Sequence, residues 1–375
     1  MKVAFISHDA VLNGAPITLV ELVRELAGQP DPLTLALGVP APGPLLERYR
    51  LPGVEIFSYA KTRYGVEIPV GRPRIRRRLK RIISARGVSL AVANSLEAFR
   101  AVEAAADLGI PVIWLIHELV GEYRQRREWG EIRSAARRAD RLIFNSRSSL
   151  SQAELLGAGP AAKSRYLYPG ISLDRTGGGE EGAGREILAA GAPPILGSIG
   201  DICPQKGCRD LVEAFAVVSR VHPRARLILA GRVAERFRGF QEKLAARIRE
   251  LRLSGKVRFE GEFFDLRQRL SDFDLLIHPS PSESFGRVVA EALAGGVPVV
   301  AARSGGTGEI IRDGETGFLV PPGDPEALAA AVLRALADPE GTKETAARGR
   351  EEVEARFSLP RAAGEIRTEI ESLIY

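Results

Sequence analysis

Two glutamates, Glu283 and Glu291, stand eight residues apart in the stretch SESFGRVVAEALAGG. The apolar run that ends at Ser280 predicts a strand, the loop after it carries Glu283, and Ser284 is a good N-cap for a helix that would carry Glu291. With a rise of about 1.5 Å per helical residue, both carboxylates stay within the length of one ligand. The amides of Ser284, Phe285 and Gly286 would then project from a helix N-terminus, a ready site for an anion or for hydroxyl groups. Elsewhere, Lys206 in PQKG offers a compact positive charge, and His117 ends the β-rich run PVIWLI. Cys203 and Cys208 lie too close together to staple a chain of this size, and they lack the partner cluster of a zinc site. The sequence shows neither a nucleophilic triad nor acidic pairs at metal-ligand spacing, so no metal is expected.

These residues need a scaffold, and the pattern of the chain supplies one. At about 150 residues per domain, 375 residues predict two domains. Short β-rich runs alternate with helical patterns at 3–6, 33–39, 89–95, 111–117 and 141–146, and a turn with Gly14 precedes a helical pattern over 17–26. The Gly-rich stretch 174–184 reads as a linker, after which the alternation restarts at 194–200, 226–231, 256–261, 274–280, 297–302 and 317–322. Both halves therefore read as βαβ series, that is, α/β domains with doubly wound parallel sheets. We expect a first domain over 1–172, a second over 173–357, and a C-terminal helix near 358–375. Ligands of such sheets bind beyond the carboxyl ends of the strands, where the candidate residues fall.

Composition narrows the class. Hydrophobic residues make up 45% of the chain and charged residues 27%, which excludes disordered and collagen-like chains. The net charge of +6 favours anionic partners, and the basicity is almost all arginine. No run of about 18 apolar residues predicts a membrane-spanning helix, and the short apolar start MKVAFIS reads as a strand and not as a leader. A cytoplasmic location is the expectation.

The ordered blocks carry a resemblance. The two glutamates in SESFGRVVAEALAGGVPVV are followed by GGTGEIIRDGETGFLVPPGD and preceded by PQKG, the helix DLVEAFA, RLILAG and VRFEG. This set resembles the retaining glycosyltransferases of family 4, with a fold of two facing Rossmann-like domains (GT-B). The resemblance is strong over the second half and thinner in the first. It implies transfer of a sugar from a nucleotide-diphosphate donor, a UDP- or GDP-sugar, to an acceptor hydroxyl on a glycan, a lipid-linked or a small molecule, without a bound cofactor. It also implies that the last helix crosses back onto the first domain.

Carried over residue by residue, the resemblance gives Glu283 the donor-sugar hydroxyls, Glu291 the ribose hydroxyls and Lys206 the diphosphate. Ser284, Phe285 and Gly286 would offer backbone amides, and Gly305, Gly306 and Glu309 would form the loop beside the nucleotide. In the first domain, Gly14 with Ala15 matches a small-residue loop that a ligand can approach closely, and His117 would face the donor sugar. Asp201 departs from the family pattern: it stands where an arginine usually clamps the diphosphate, unless Arg287 or Arg232 compensates. A nucleotide-sugar 2-epimerase of the same fold, and a non-catalytic basic adaptor on a degenerate scaffold, remain as alternatives. The run RPRIRRRLKR, from Arg72 to Arg81, could form a basic amphipathic helix with Ile75, Leu79, Ile82 and Ile83 opposite the cations, suited to peripheral contact with an anionic inner-membrane face. Nucleic acid is not an expected partner, since no aromatic interleaving accompanies the run.

Overall fold

In the computed structural model, every apolar run singled out above becomes a strand, with ends shifted by at most two residues. The structure describes residues 1–11, 14–48, 51–59, 62–63, 66–67, 72–159, 161–173, 188–189, 191–261 and 266–374. The expected linker at 174–184 lies outside these residues. The chain divides into two compact units, residues 1–170 with 359–375, and residues 171–358.

The first unit contains β1 (Lys2–Ser7), β2 (Thr34–Val39), β3 (Glu55–Ser58), a two-residue antiparallel pair β4 (Thr62–Arg63) and β5 (Val66–Glu67), then β6 (Leu90–Asn94), β7 (Val112–Ile116), β8 (Arg141–Phe144) and β9 (Ser164–Tyr166). Its seven-stranded parallel sheet runs β3-β2-β1-β6-β7-β8-β9. Alternate side chains point to opposite faces. Thus Ala91, Ala93, Trp114 and Ile116 join one buried cluster, and Leu90, Val92, Ile113 and Leu115 join the other. Burial on both faces is what makes these strands read as continuous apolar runs. The short edge strands β3 and β9 carried no such signal, because only part of each is buried.

The second unit repeats the plan with β10 (Ile195–Ile199), β11 (Arg226–Ala230), β12 (Val257–Glu260), β13 (Leu275–His278), β14 (Val299–Ala302) and β15 (Phe318–Val320). Its parallel sheet runs β12-β11-β10-β13-β14-β15. In both sheets the order reverses beside the first strand, between β1 and β6 and between β10 and β13. The doubly wound class expected from the sequence is therefore the class observed.

The final helix, Leu359–Ser372, belongs to the first unit. Its Glu369 accepts Arg141 Nε at 3.1 Å and Arg165 Nη1 at 2.9 Å. Gly170 permits the return: a Cβ there would stand 2.6 Å from Leu359 Cα.

The arginine-rich run forms the helix Arg72–Ala85, but its apolar side does not face outward. Leu79 and Ile83 are buried in the sheet cluster that contains Trp114, with Ile75 and Ile82 packed against it. Arg76 and Lys80 both pair with Asp107, at 2.6 and 3.3 Å. The amphipathic pattern thus serves the core, which corrects the expectation of a lipid-facing apolar side. Leu79→Ala should destabilise the protein by about 2–5 kcal/mol. Arg77→Ala, on the exposed side, should stay within about 0.5 kcal/mol. Urea unfolding of the two variants measures the contrast.

Candidate functional site

The residues with chemistry gather at the two points where strand order reverses, the usual ligand position in open parallel sheets. In the second unit, a turn after β10 carries Lys206 and a loop after β13 carries Glu283. Lys206 Nζ donates to Glu283 Oε2 at 2.7 Å. The same carboxylate oxygen lies 3.1 Å from His278 Nε2, and His278 is buried at the end of β13.

Glycines make this contact possible. Gly200 ends β10 at φ 147°, and the Lys206 stem runs past the place its Cβ would take. Gly207, at φ 65°, lies so close to the Pro279 carbonyl that a Cβ there would stand 2.3 Å from the oxygen. Ser280 Oγ donates to Gln205 O at 3.0 Å and ties the two loops together.

Burial alone would push the Glu283 carboxyl up, but the Lys206 charge and the His278 hydrogen bond overcome it and hold the group well below the usual carboxylate range. Burial works against the Lys206 ammonium as well, and Glu283 more than offsets it, so the lysine is held above its ordinary value. Glu283 therefore contributes stability that is present above about pH 4.5 and lost as pH falls through its folded value. The Lys206 contribution is present below about pH 10.5 and lost as pH rises through its own.

The helix after Glu283 starts later than its sequence suggests. It spans Arg287–Ala294 with Gly286 as N-cap at φ 98°, so Ser284 and Phe285 precede it in the loop. The cause is Phe285, which is buried and packs edge-on against Phe357 at 5.6 Å between ring centroids. The left-handed glycine then redirects the chain into the helix. Gly306 lies against the same loop: a Cβ on it would stand 2.4 Å from Phe285 Cα. Gly306 N donates to Glu283 O at 3.1 Å. Gly305 and Gly306 therefore sit beside the Glu283 loop, and Glu309 follows in the short helix Thr307–Ile310. Glu291 is buried, and its Oε1 accepts Arg287 Nε at 2.7 Å. Arg287 is thus engaged with Glu291. Asp201 pairs with Arg232 at 3.3 Å, with both side chains roughly two-fifths exposed.

In the first unit, Gly14 and Ala15 open the helix Gly14–Ala27, and a Cβ on Gly14 would meet no atom within 4 Å. His117 follows β7. Its Nε2 lies 2.7 Å from Asn94 Oδ1, and Asn145 Nδ2 donates to His117 O at 3.1 Å. His8, after β1, places Nδ1 3.3 Å from Asn94 O.

Sequence reasoning did not single out Asn94, Asn145 or Glu118. Glu118 accepts Ser95 Oγ at 2.5 Å, Leu96 N at 3.0 Å and His117 N at 3.1 Å. Burial raises its pKa against the hydrogen bonds from Ser95 and Leu96. The available signal was position: Asn94, His117 with Glu118, and Asn145 each end a buried strand. Among the described residues, no group of three or more His, Cys, Asp and Glu side chains could hold a metal ion.

Exchanging either partner of the Lys206–Glu283 pair takes the opposite charge from the other, with Glu283 mostly buried and Lys206 one-third exposed. Lys206→Met and Glu283→Gln should each destabilise at pH 7. The double variant should lose less than their sum, by a coupling of about 0.5–3 kcal/mol. Urea denaturation of the four proteins measures it, and the coupling should shrink in acid as Glu283 protonates.

Residues 12–175 match the family model described as Glycosyltransferase Family 4, and residues 183–352 match that described as Glycosyl transferases group 1. A lipopolysaccharide core biosynthesis mannosyltransferase from Rhizobium leguminosarum bv. viciae is 33% identical over 196 residues, 52% of this chain and 56% of that protein. A D-inositol 3-phosphate glycosyltransferase from Catenulispora acidiphila is 38% identical over 213 residues, 54% of this chain and 49% of that protein. The chain thus spans about half the length of the curated relatives it matches. Among solved structures, Anabaena HepE in complex with UDP and glucose superposes with a TM-score of 0.84 at 24% identity, over 99% of this chain and 100% of that one. This last likeness bears on the fold. With the two family models lying end to end over the two units, the chain belongs to the GT-B glycosyltransferases of family 4 and group 1.

Proposed function

We propose that the protein moves a sugar from a nucleotide-diphosphate donor to an acceptor hydroxyl, with retention at the anomeric carbon. The observation that carries this reading is the Lys206–Glu283–His278 cluster at the point where strand order reverses in the second unit. An ammonium has three N–H donors, so Lys206 can keep Glu283 and still meet diphosphate oxygens. There it would stabilise the charge that grows as the donor's bond to the sugar breaks. Glu283 has a second oxygen to accept sugar hydroxyls, and its low pKa keeps it an acceptor at neutral pH. Glu291, fixed by Arg287, would receive the ribose, and the loop of Gly305, Gly306 and Glu309 would flank the nucleotide. In the first unit, His117 after β7 and the open space at Gly14 and Ala15 make that unit's own candidate ligand end.

A uridine nucleotide is the favoured donor class, because HepE binds UDP and UDP-glucose in its solved complexes. The mannosyltransferase and inositol phosphate relatives support an acceptor rich in hydroxyls, a glycan or a lipid-linked one. No helix among the described residues is long and apolar enough to cross a membrane. The exposed Arg74, Arg77 and Arg81 would allow electrostatic contact with an anionic surface, without apolar insertion.

A thermal-shift series with UDP, GDP and ADP tests the donor site. At 100 times its dissociation constant, a ligand stabilises by about 2.7 kcal/mol. One nucleotide should raise the melting temperature of the wild type and fail to do so for Lys206→Ala. A shift retained in full by that variant would remove Lys206 from the site. Asp201→Asn removes a repelling charge and releases Arg232. It should tighten nucleotide binding about two- to fivefold, the scale of an exposed ion pair, as read by titration calorimetry. Product analysis with a UDP-hexose then separates transfer, which needs an acceptor, from 2-epimerisation, which interconverts donors without one.

A further inference from the structure

Asn94 is fully buried at the end of β6, where strand order reverses in the first unit, and it touches both histidines of that site. Its Nδ2 donates to Ala15 O at 3.1 Å, in the first turn of the helix Gly14–Ala27. A carbonyl oxygen only accepts, so this contact settles which way the amide faces: NH2 toward Ala15 and Oδ1 toward His117. An amide oxygen also only accepts, so the hydrogen at the 2.7 Å contact must sit on His117 Nε2. In the neutral ring, Nδ1 is then the acceptor nitrogen. The backbone of the same residue acts in the opposite sense on His8. Asn94 O accepts from His8 Nδ1 at 3.3 Å, which leaves Nε2 as the acceptor of the neutral ring.

We infer that Asn94 is a positioning residue that fixes two imidazoles in complementary neutral tautomers, Nε2–H at His117 through its side chain and Nδ1–H at His8 through its backbone. In these forms His117 Nδ1 and His8 Nε2 are acceptor nitrogens, the type that a ligand's hydroxyl hydrogens require. This deepens the sugar-transfer reading and rests on it for the identity of the ligand. The tautomers themselves follow from the hydrogen-bond directions alone. Fixing them in advance avoids reorganising the rings when a hydroxyl arrives. The neighbouring contacts hold the backbone that carries the ring: Asn145 grips the His117 carbonyl and Glu118 grips its amide.

The test is long-range proton–nitrogen correlation NMR on the full chain with nitrogen-15 histidine, at a pH where the rings are neutral. The chain has four histidines, and His8→Gln and His117→Gln assign the two of interest. The wild type should show a protonated Nε2 at His117 and a protonated Nδ1 at His8. In Asn94→Leu the His117 signals should shift toward a tautomer mixture, whereas His8 should keep its tautomer because the backbone carbonyl remains. Asn94→Asp, which retains an acceptor oxygen, should preserve Nε2–H at His117. A wild-type His117 protonated at Nδ1, or an Asn94→Leu protein that holds Nε2–H fully, would overturn the assignment. If Asn94→Leu does not fold, the wild-type spectrum and Asn94→Asp decide. Fixed tautomers that no nucleotide sugar perturbs would support the role of Asn94 and count against the transferase reading.

Discussion

A single ammonium–carboxylate contact, Lys206 to Glu283 at 2.7 Å, organises the second unit's ligand end. Neither partner stands alone: removing the lysine takes the opposite charge from a mostly buried carboxylate, and removing the glutamate takes it from a half-buried ammonium. To bring them together the chain must cross between two strands at close quarters. Gly200 and Gly207 allow that approach, and Ser280 ties the lysine turn to the glutamate loop. His278 adds a second restraint from beneath, so the carboxylate has one defined direction before any ligand arrives. Preorganisation of this kind is the largest single source of rate enhancement in sites that stabilise developing charge.

The two units solve the same problem with different chemistry. In the second, opposite charges fix one another, and in the proposed reading their remaining donors and acceptors meet an anionic ligand. In the first, a neutral amide does the fixing, and the result is a pair of imidazoles with assigned hydrogen positions.

Much of this was legible because burial leaves a strong mark on sequence. Strands covered on both faces read as unbroken apolar runs, and their ends located Lys206, Glu283 and His117. The helix start after Glu283 was not legible: Ser284 has every local property of a cap, but the burial of Phe285 against Phe357, distant in sequence, overrode it. The arginine-rich helix follows a related rule. Its pattern correctly predicted an apolar side, and nothing local says whether that side meets lipid or a neighbouring sheet. Asn94 was missed because a buried asparagine at a strand end has no distinguishing neighbour in sequence; its partners, Ala15 in the helix Gly14–Ala27 and His117 after β7, lie far from it in the chain.

The chain leaves the first unit after Gly170 and returns at Leu359, and just beyond those positions Ile171 N donates to Phe357 O at 2.7 Å. The second unit is thus an insertion whose two ends are hydrogen-bonded neighbours. For the first unit to complete itself with its final helix, it must close a loop of the 188 residues from 171 to 358. Closing so long a flexible loop is entropically costly, but a folded insert with joined ends shortens it to almost nothing. Through this connectivity, folding of the inserted unit lowers the entropic cost of docking the last helix on its host.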